Sequence, residues 1–172
     1  MVDTMELRTR AATLADADAI AAIYNDGIAD RIATFETEPR STAQIAEWFA
    51  GRQLVIIAET QETGPVAFAA SFPYSDRACY SGIGEFSVYV RRNYRGRGAD
   101  RAVFAALIEA AFAAGLHKLT SRVFGAIDYA TGRGWGYRKH GASTGFGTCC
   151  LAAASDRGRY PGVARARGHH QP

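Results

Sequence analysis

The segment whose residue types and spacing most directly suggest chemistry is Arg95-Gly96-Arg97-Gly98. It follows the apolar run 85–91 and precedes a long stretch with apolar residues at helical spacing. A turn that opens a helix leaves backbone N–H groups without helical partners, and the helix dipole adds partial positive charge there. Glycines let the backbone close around an anion, and the arginines add full charges. The pattern therefore predicts a site for a phosphorylated cofactor.

The composition limits the class of protein. The 172 residues suffice for one domain with its own core, and 48% hydrophobic with 22% charged residues is typical of globular proteins. A net charge of +3 and a pI near 8.9 suit an anionic ligand and are too weakly basic for a nucleic-acid-binding protein. No apolar run is long enough to span a bilayer, and the first residues lack the build of a secretory signal. We therefore expect a cytoplasmic protein without nucleic-acid or membrane partners.

Three cysteines, Cys79, Cys149 and Cys150, form an odd set with two adjacent members. Adjacent cysteines rarely pair with each other, and the spacing matches no metal-ligand motif. We expect reduced thiols and no metal site.

Hydrophobic periodicity predicts alternating strands and helices up to residue 124. The expected order is a strand at 7–11, a helix after Thr13, a helix capped by Ser41, strands at 54–58, 65–71 and 85–90, a helix after the glycine turn that stops near Gly115, and a strand at 117–124.

Beyond residue 124 the pattern weakens. Residues 125–141 are glycine-rich and contain no clear helix, and residues 142–147 do not resemble an apolar strand. Residues 155–172 are rich in Gly, Arg and Pro, which is typical of a disordered basic tail. We therefore assign residues 1–154 to one domain with an atypical C-terminal part, and residues 155–172 to a tail.

Several short motifs occur in a fixed order along the chain. They are Ile23-Tyr24-Asn25, Thr34-Phe35-Glu36 with Glu38-Pro39, Trp48-Phe49, Arg77-Ala78 with Tyr80, Glu85 with Ser87-Val88-Tyr89-Val90, Arg95-Gly96-Arg97-Gly98, and Tyr137-Arg138-Lys139-His140-Gly141. Together they resemble the GNAT superfamily of N-acetyltransferases and, within it, the phosphinothricin acetyltransferase group. The resemblance covers residues 6–124 well. It implies an α/β fold with a mixed central sheet flanked by helices, and transfer of acetyl from acetyl-CoA to a primary amine.

The resemblance also implies residue roles. Glu85 matches a general base, which the reaction needs because an amine must lose a proton before it attacks a thioester. Tyr137 matches a tyrosine that protonates the departing thiolate. The backbone of Val88, Tyr89 and Val90 would pair with the pantetheine arm as an added strand. The remaining cofactor-binding residues would be Arg95, Gly96, Arg97, Gly98, Asp100 and Arg101.

The acceptor would lie against Phe35, Glu36, Arg77 and Tyr80 by the same resemblance. The planar fork of Arg77 suits the carboxylate or phosphinate of an acidic acceptor, although an exposed loop charge is an equal reading of this residue. Acetyl-CoA is then the only cofactor, no metal is implied, and members of this group are often homodimers.

Asp100 departs from the superfamily pattern Arg/Gln-x-x-Gly-x-Gly/Ala, whose last position is small. Its carboxylate either faces the cofactor pyrophosphate and weakens binding, or faces solvent as a favourable acid in the first helical turn. Two hypotheses follow. One is an N-acetyltransferase for a small amino-acid-like amine of the phosphinothricin or methionine sulfoximine type. The other is a catalytically impaired protein of the same fold with weak or no CoA binding. A third, acetylation of protein N-termini, is disfavoured by the acceptor-loop residues.

Overall fold

A computed structural model describes residues 6–31, 34, 36–124, 136–143 and 146–152, with only the backbone described from residue 122 onward. The helices are α1 (Ala17–Asp30), α2 (Thr42–Ala46) and α3 (Ala99–Ala113). The strands are β1 (Arg8–Ala11), β2 (Leu54–Thr60), β3 (Gly64–Pro73), β4 (Ile83–Val90), β5 (Lys118–Phe124), β6 (Gly136–Ser143) and β7 (Phe146–Ala152). Short 3-10 turns lie at Leu14–Asp16, Glu47–Ala50, Ala78–Tyr80 and Arg92–Tyr94.

The strands form a mixed sheet in the order β1-β2-β3-β4-β5-β7-β6. The β4–β5 pair is parallel and the other pairs are antiparallel. Helix α3 connects β4 to β5, as a parallel pair requires a crossover. The mixed sheet with flanking helices that the sequence predicts is therefore confirmed.

Two hydrophobic cores lie on opposite faces of the sheet, because successive strand residues point to opposite sides. On one face α3 packs its apolar stripe, which includes Val103 and Leu107, against β2, β3 and Phe86 of β4. On the other face α1 and α2 cover Phe68 of β3 and Tyr89 of β4. The central strands are buried from both sides, so the backbone and side chains of β4 are held in fixed positions.

Local signals place the helix ends close to where the sequence predicts them. The hydroxyl of Ser41 accepts from the backbone N–H of Gln44, whose side chain accepts from Ser41 N at 2.8 Å, so α2 begins with a capping box. A second box between Thr13 and Asp16 precedes α1. These bonds satisfy N–H groups that a helix leaves unpaired.

The structure differs from the sequence expectation after Gly141. Residues 142–147 were not expected to form a strand, whereas β6 extends to Ser143 and β7 begins at Phe146. Strand β7 pairs with β5 along seven register positions. Strand pairing uses backbone groups, so an available edge of β5 can recruit a segment whose side chains lack an apolar pattern.

Residues 125–135, 144–145 and 153–172 lie outside the described residues, and the expected tail is among them. Among the helices that are described, none combines the length and the apolar character needed to cross a membrane.

Candidate functional site

Strands β4 and β5 are paired over only part of their length. The register pairs are Ile83 with Lys118, Gly84 with Leu119 and Glu85 with Thr120. Beyond them β4 continues to residue 90 and β5 to residue 124 without register pairs between the two, while the other edge of β5 is paired with β7 along its whole length. The two parallel strands therefore part after Glu85, and the sheet opens along residues 86–90.

The hydrogen-bonding phase of β4 decides which backbone groups face this opening. The N–H of Arg91 donates to the carbonyl of Val66 at 2.8 Å, next to the register pair of Ala67 and Val90. Hydrogen-bonded pairs alternate along an antiparallel ladder, so Tyr89 also bonds to β3, while Val88 and Val90 direct their N–H and C=O away from it. The backbone of Val88 and the N–H of Val90 are therefore available to an added strand in the opening, whereas the carbonyl of Val90 accepts a hydrogen bond from Arg95.

Tyr89 requires a correction to the sequence prediction, because its backbone groups belong to the β3 ladder. Its side chain is buried on the α1 face, where its ring centroid lies 4.6 Å from that of Tyr24. Burial raises the pKa of the Tyr89 phenol, with the neighbouring Tyr24 adding to the effect. Tyr89 therefore packs as a neutral core residue between β4 and α1.

The glycine turn opens α3 at the far end of the same strand. Gly96 has φ 71° and Gly98 has φ 85°, and a Cβ at either position would meet no atom within 4 Å. The requirement for glycine is thus conformational, since other residues rarely adopt these angles. The backbone N–H groups of residues 99–101 lie in the first helical turn, where they have no helical acceptor. The turn can therefore bind an anion.

The two arginines of the turn have different surroundings. Arg95 donates from Nε to the carbonyl of Val90 at 3.1 Å and pairs through Nη1 with Oδ2 of Asp30 at 2.5 Å. Arg97 is exposed, and its guanidinium lies 5.6 Å from the ring centroid of Tyr94. Asp30 thus offsets part of the charge of Arg95, whose role as a cofactor contact stays a prediction. Arg97, together with the exposed Arg101, provides the outward-facing cations.

Asp30 lies at the last position of α1 and pairs with a second arginine. Its Oδ1 is 2.7 Å from Nη2 of Arg92. Hydrogen bonds from Arg92 and then Arg95 lower the pKa of the Asp30 carboxyl. The sequence analysis did not identify Asp30, since its partners are more than sixty residues away along the chain.

Asp100 is the second residue of α3 and is half-buried. No ion pair involving it is found within the described part of the chain. Its carboxylate is stabilised by the helix dipole at this position, and the same position is one residue from the anion-binding turn. The position of Asp100 is compatible with either of the two orientations considered from the sequence.

Glu85 lies where the strands part. It is half-buried, and it is paired across β4 with Phe72 of β3 on one side and Thr120 of β5 on the other. Phe72 contacts the core on the α1 and α2 face, and cross-strand partners share a face, so Glu85 points to that face. A carboxylate is therefore held beside the start of the opening.

Glu36 is part of a hydrogen-bonded loop that packs on α1. Arg40 donates to both of its carboxylate oxygens, from Nε to Oε2 at 2.7 Å and from Nη2 to Oε1. The side-chain amide of Asn25 in turn clamps the backbone of Arg40, with bonds of 2.8 and 3.0 Å. The hydrogen bonds from Arg40 lower the pKa of Glu36 against the opposing effect of burial. Arg40 was missed in the sequence, because residues 36–40 form a loop, where a spacing of four residues does not by itself indicate a pair.

Arg77 and Tyr80 lie together in the loop between β3 and β4. The Arg77 guanidinium is 5.5 Å from the ring centroid of Tyr80, and Tyr74 meets Tyr80 edge-on at 5.6 Å. Arg77 is exposed, so its remaining donors face solvent. The stacked ring orients a cation that can bind an anionic group.

Two predicted site residues are not placed by side chain. Phe35 lies outside the described residues. Tyr137 is described by backbone alone, in β6 opposite Leu151 of β7.

Comparison with known proteins is consistent with this geometry. The acetyltransferase (GNAT) family model matches residues 20–135, which include β4, the glycine turn and α3. An L-methionine sulfoximine/L-methionine sulfone acetyltransferase of Pseudomonas paraeruginosa is 33% identical over 126 residues, covering 69% of this chain and 72% of that protein. A phosphinothricin N-acetyltransferase of Streptomyces coelicolor is 28% identical over 126 residues, covering 69% and 72%.

The fold has a counterpart among solved structures. The crystal structure of a GNAT superfamily phosphinothricin acetyltransferase from Sinorhizobium meliloti, in complex with acetyl-CoA, matches with a TM-score of 0.71 and 21% identity. The match covers 94% of this chain and 97% of that one.

Proposed function

The chain belongs to the acetyltransferase (GNAT) family, and we propose that its acceptor is a small amino acid of the phosphinothricin or methionine sulfoximine type. The protein is an acetyl-CoA-dependent N-acetyltransferase. The two relatives reported above are named for substrates of this type, and these names support the proposed acceptor.

The parting of β4 and β5 is the observation that supports the proposed acetyl-CoA site. It leaves the backbone of Val88 and the N–H of Val90 directed into an opening that leads from Glu85 to the glycine turn. An extended pantetheine arm can add to this edge as a strand, with main-chain hydrogen bonds supplying affinity. The pyrophosphate would then lie at the start of α3, near Arg97 and the first-turn N–H groups.

Glu85 takes the role of general base in this arrangement. It accepts the proton of the acceptor ammonium, directly or through one water, and so produces the neutral amine. The nitrogen lone pair then forms a bond to the thioester carbonyl carbon. Collapse of the tetrahedral intermediate breaks the carbon–sulfur bond, the nitrogen gives up its second proton to solvent, and the departing thiolate takes a proton. We assign that proton donation to Tyr137 by the family resemblance.

The acceptor's anionic group has a candidate partner in Arg77. The guanidinium is exposed and stacked on Tyr80, so it is oriented without an internal counter-ion among the described residues. Glu36, in contrast, is already paired with Arg40. We therefore assign anion recognition to Arg77 and a loop-shaping role to Glu36. Phe35 is assigned to the acceptor site by the family resemblance alone.

Two measurements test the function. A ligand that binds only the native state at one hundred times its Kd stabilises it by about 2.7 kcal/mol, so acetyl-CoA is expected to raise the Tm by about 5–10 °C. CoA thiol release is then assayed with L-methionine sulfoximine, phosphinothricin and a peptide with an unblocked N-terminus. Turnover of the first two supports the proposal. No thermal shift at millimolar acetyl-CoA supports instead the impaired protein that Asp100 suggests, and turnover of the peptide alone supports the N-terminal acetyltransferase.

We also propose a cytoplasmic homodimer, as in many members of the group. The family resemblance supports the dimer, and the odd cysteine set, which favours reduced thiols, supports the cytoplasmic assignment. Sedimentation equilibrium tests the assembly, and a single species of 18.5 kDa would contradict it.

A further inference from the structure

We propose that Asp30 is a positioning residue for the cofactor turn and acts through Arg95. The inference rests on the proposed acetyl-CoA site and concerns a residue that no motif in the sequence singles out. Asp30 does not reach the opening itself. It fixes the arginine that joins the turn to the end of β4.

The contacts form a bridge between three parts of the fold. Asp30 ends α1, and its carboxylate binds Arg95 at 2.5 Å and Arg92 at 2.7 Å. Arg92 and Arg95 lie on either side of the short turn that leaves β4. Arg95 also donates to the carbonyl of Val90, the last residue of β4. One carboxylate therefore holds both ends of the connection between the cofactor strand and the glycine turn.

The position of Asp30 at a helix end explains why its carboxylate needs cationic partners. The C-terminal end of a helix carries partial negative charge, so an acid there is unfavourable without cations nearby. Two arginines provide those cations, and the bridge is partly shielded, with side-chain exposures of 20% for Asp30 and 33% for Arg95. Partial burial weakens solvent screening of the pair.

The bridge changes what Arg95 contributes to binding. Asp30, which Arg92 and Arg95 share, offsets part of the positive charge of Arg95, and we assign Arg95 a mainly geometric effect on an anion. Arg95 holds the backbone before Gly96 and Gly98 so that the first-turn N–H groups keep their direction. Asp30 is also the last residue of α1, and Arg31 follows it in a left-handed conformation that ends the helix. The loop that contains Thr34 and Glu36 comes next along the chain. Asp30 thus lies between the cofactor turn and the acceptor loop.

Opposite charge changes separate positioning from simple electrostatics. Asp30→Asn removes a negative charge near the anion site, and Arg95→Gln removes a positive one. Electrostatics alone predicts tighter acetyl-CoA binding for the first and weaker binding for the second. Positioning predicts that both weaken binding, by about tenfold each, because each breaks the same charge-assisted bridge.

The experiment measures the Kd of acetyl-CoA by calorimetry for the wild-type chain, Asp30→Asn, Arg95→Gln and the double variant. Glu109→Gln, an exposed position on α3 with the same charge change as Asp30→Asn, is the matched control. We expect both single variants to weaken binding, the double variant to lose no more than either single one, and the control to be unchanged. Asp30→Glu, which keeps the carboxylate, should restore most of the affinity.

Steady-state kinetics provide a second readout. At saturating L-methionine sulfoximine, Asp30→Asn should raise the KM for acetyl-CoA and leave kcat within about twofold. Wild-type affinity in a folded Asp30→Asn or Arg95→Gln variant, or additive losses in the double variant, overturns the proposal. If Asp30→Asn does not fold, Arg95→Lys takes its place, because lysine keeps the positive charge and loses the guanidinium fork that binds Asp30 and the carbonyl of Val90. Positioning predicts weaker acetyl-CoA binding by Arg95→Lys, and electrostatics alone predicts wild-type binding, which overturns the proposal. Failure of the wild-type chain to bind acetyl-CoA overturns the proposed function itself. Normal binding by the wild type and by both single variants overturns only the positioning role of Asp30.

Discussion

Glu85 of β4 lies opposite Thr120 of β5 at the last paired position before the two strands part. This relationship places a half-buried carboxylate beside the opening that the cofactor would enter. A general base proposed at this position would have access to the acceptor amine, because the pairing of the two strands ends there.

Replacement of Glu85 by Gln should lower kcat by about two to four orders of magnitude, because the variant keeps the shape and loses the proton acceptor. The Kd of acetyl-CoA should change little. Rates measured between pH 6 and pH 9 check the expectation, with Glu109→Gln as a control on an exposed surface. A Glu85→Gln enzyme with wild-type turnover across this range would show that Glu85 is structural.

Asp100 can be tested by changing its charge at two ionic strengths. If its carboxylate faces the pyrophosphate, Asp100→Gly and Asp100→Asn should both tighten acetyl-CoA binding, and more so at low salt, where repulsion is least screened. Asp100→Asn separates charge from helix propensity, since glycine also costs backbone entropy. Titrations at two salt concentrations give the answer. Affinity equal to wild type in both buffers would place the carboxylate towards solvent.

The ion pair of Glu36 and Arg40 should affect the acceptor and not the cofactor. Arg40→Gln removes both hydrogen bonds to Glu36 and should raise the acceptor KM about tenfold as the loop loses its fixed shape. The KM for acetyl-CoA should be unchanged. The exposed Arg52→Gln controls for the loss of one positive charge. An Arg40→Gln enzyme whose acceptor KM matches wild type would separate this pair from acceptor binding.

Asp16 should make stability depend on acid pH. Hydrogen bonds from Arg10, chief among the causes, lower its pKa from 3.8 to about 2, and Asp16 is buried. A lowered native pKa adds stability that is present above about pH 4 and is lost as the pH falls from there towards 2. Because Arg10 is one-third exposed, we expect Asp16→Asn to cost about 1–2 kcal/mol of unfolding free energy at pH 7.

Urea unfolding at pH 7 and at pH 2 measures this difference. The gap between wild type and Asp16→Asn should narrow at pH 2, where the wild-type carboxyl is itself becoming protonated. The exposed Asp76→Asn should show no gap at either pH. A gap of constant size would mean that packing, and not ionisation, makes Asp16 important.

Much of the fold follows from local sequence signals. Strand β4, the glycine turn and α3 were predicted because apolar periodicity, glycine and helix propensity act within a few residues of one another. The capping residue Ser41 was found for the same reason. The turn could therefore be identified as an anion site from the sequence alone, and the family comparison supports that reading with acetyl-CoA as the ligand.

Only the tertiary structure decided how these parts meet. The register of β4 against β3 turned the backbone of Tyr89 away from the opening and that of Val88 towards it. Arg95 was identified as a cofactor contact, and the fold pairs it with Asp30, sixty-five positions earlier in the chain. Strand register and distant ion pairs depend on contacts between segments that are far apart in the sequence. Local propensities do not encode which distant segments the folded chain brings together.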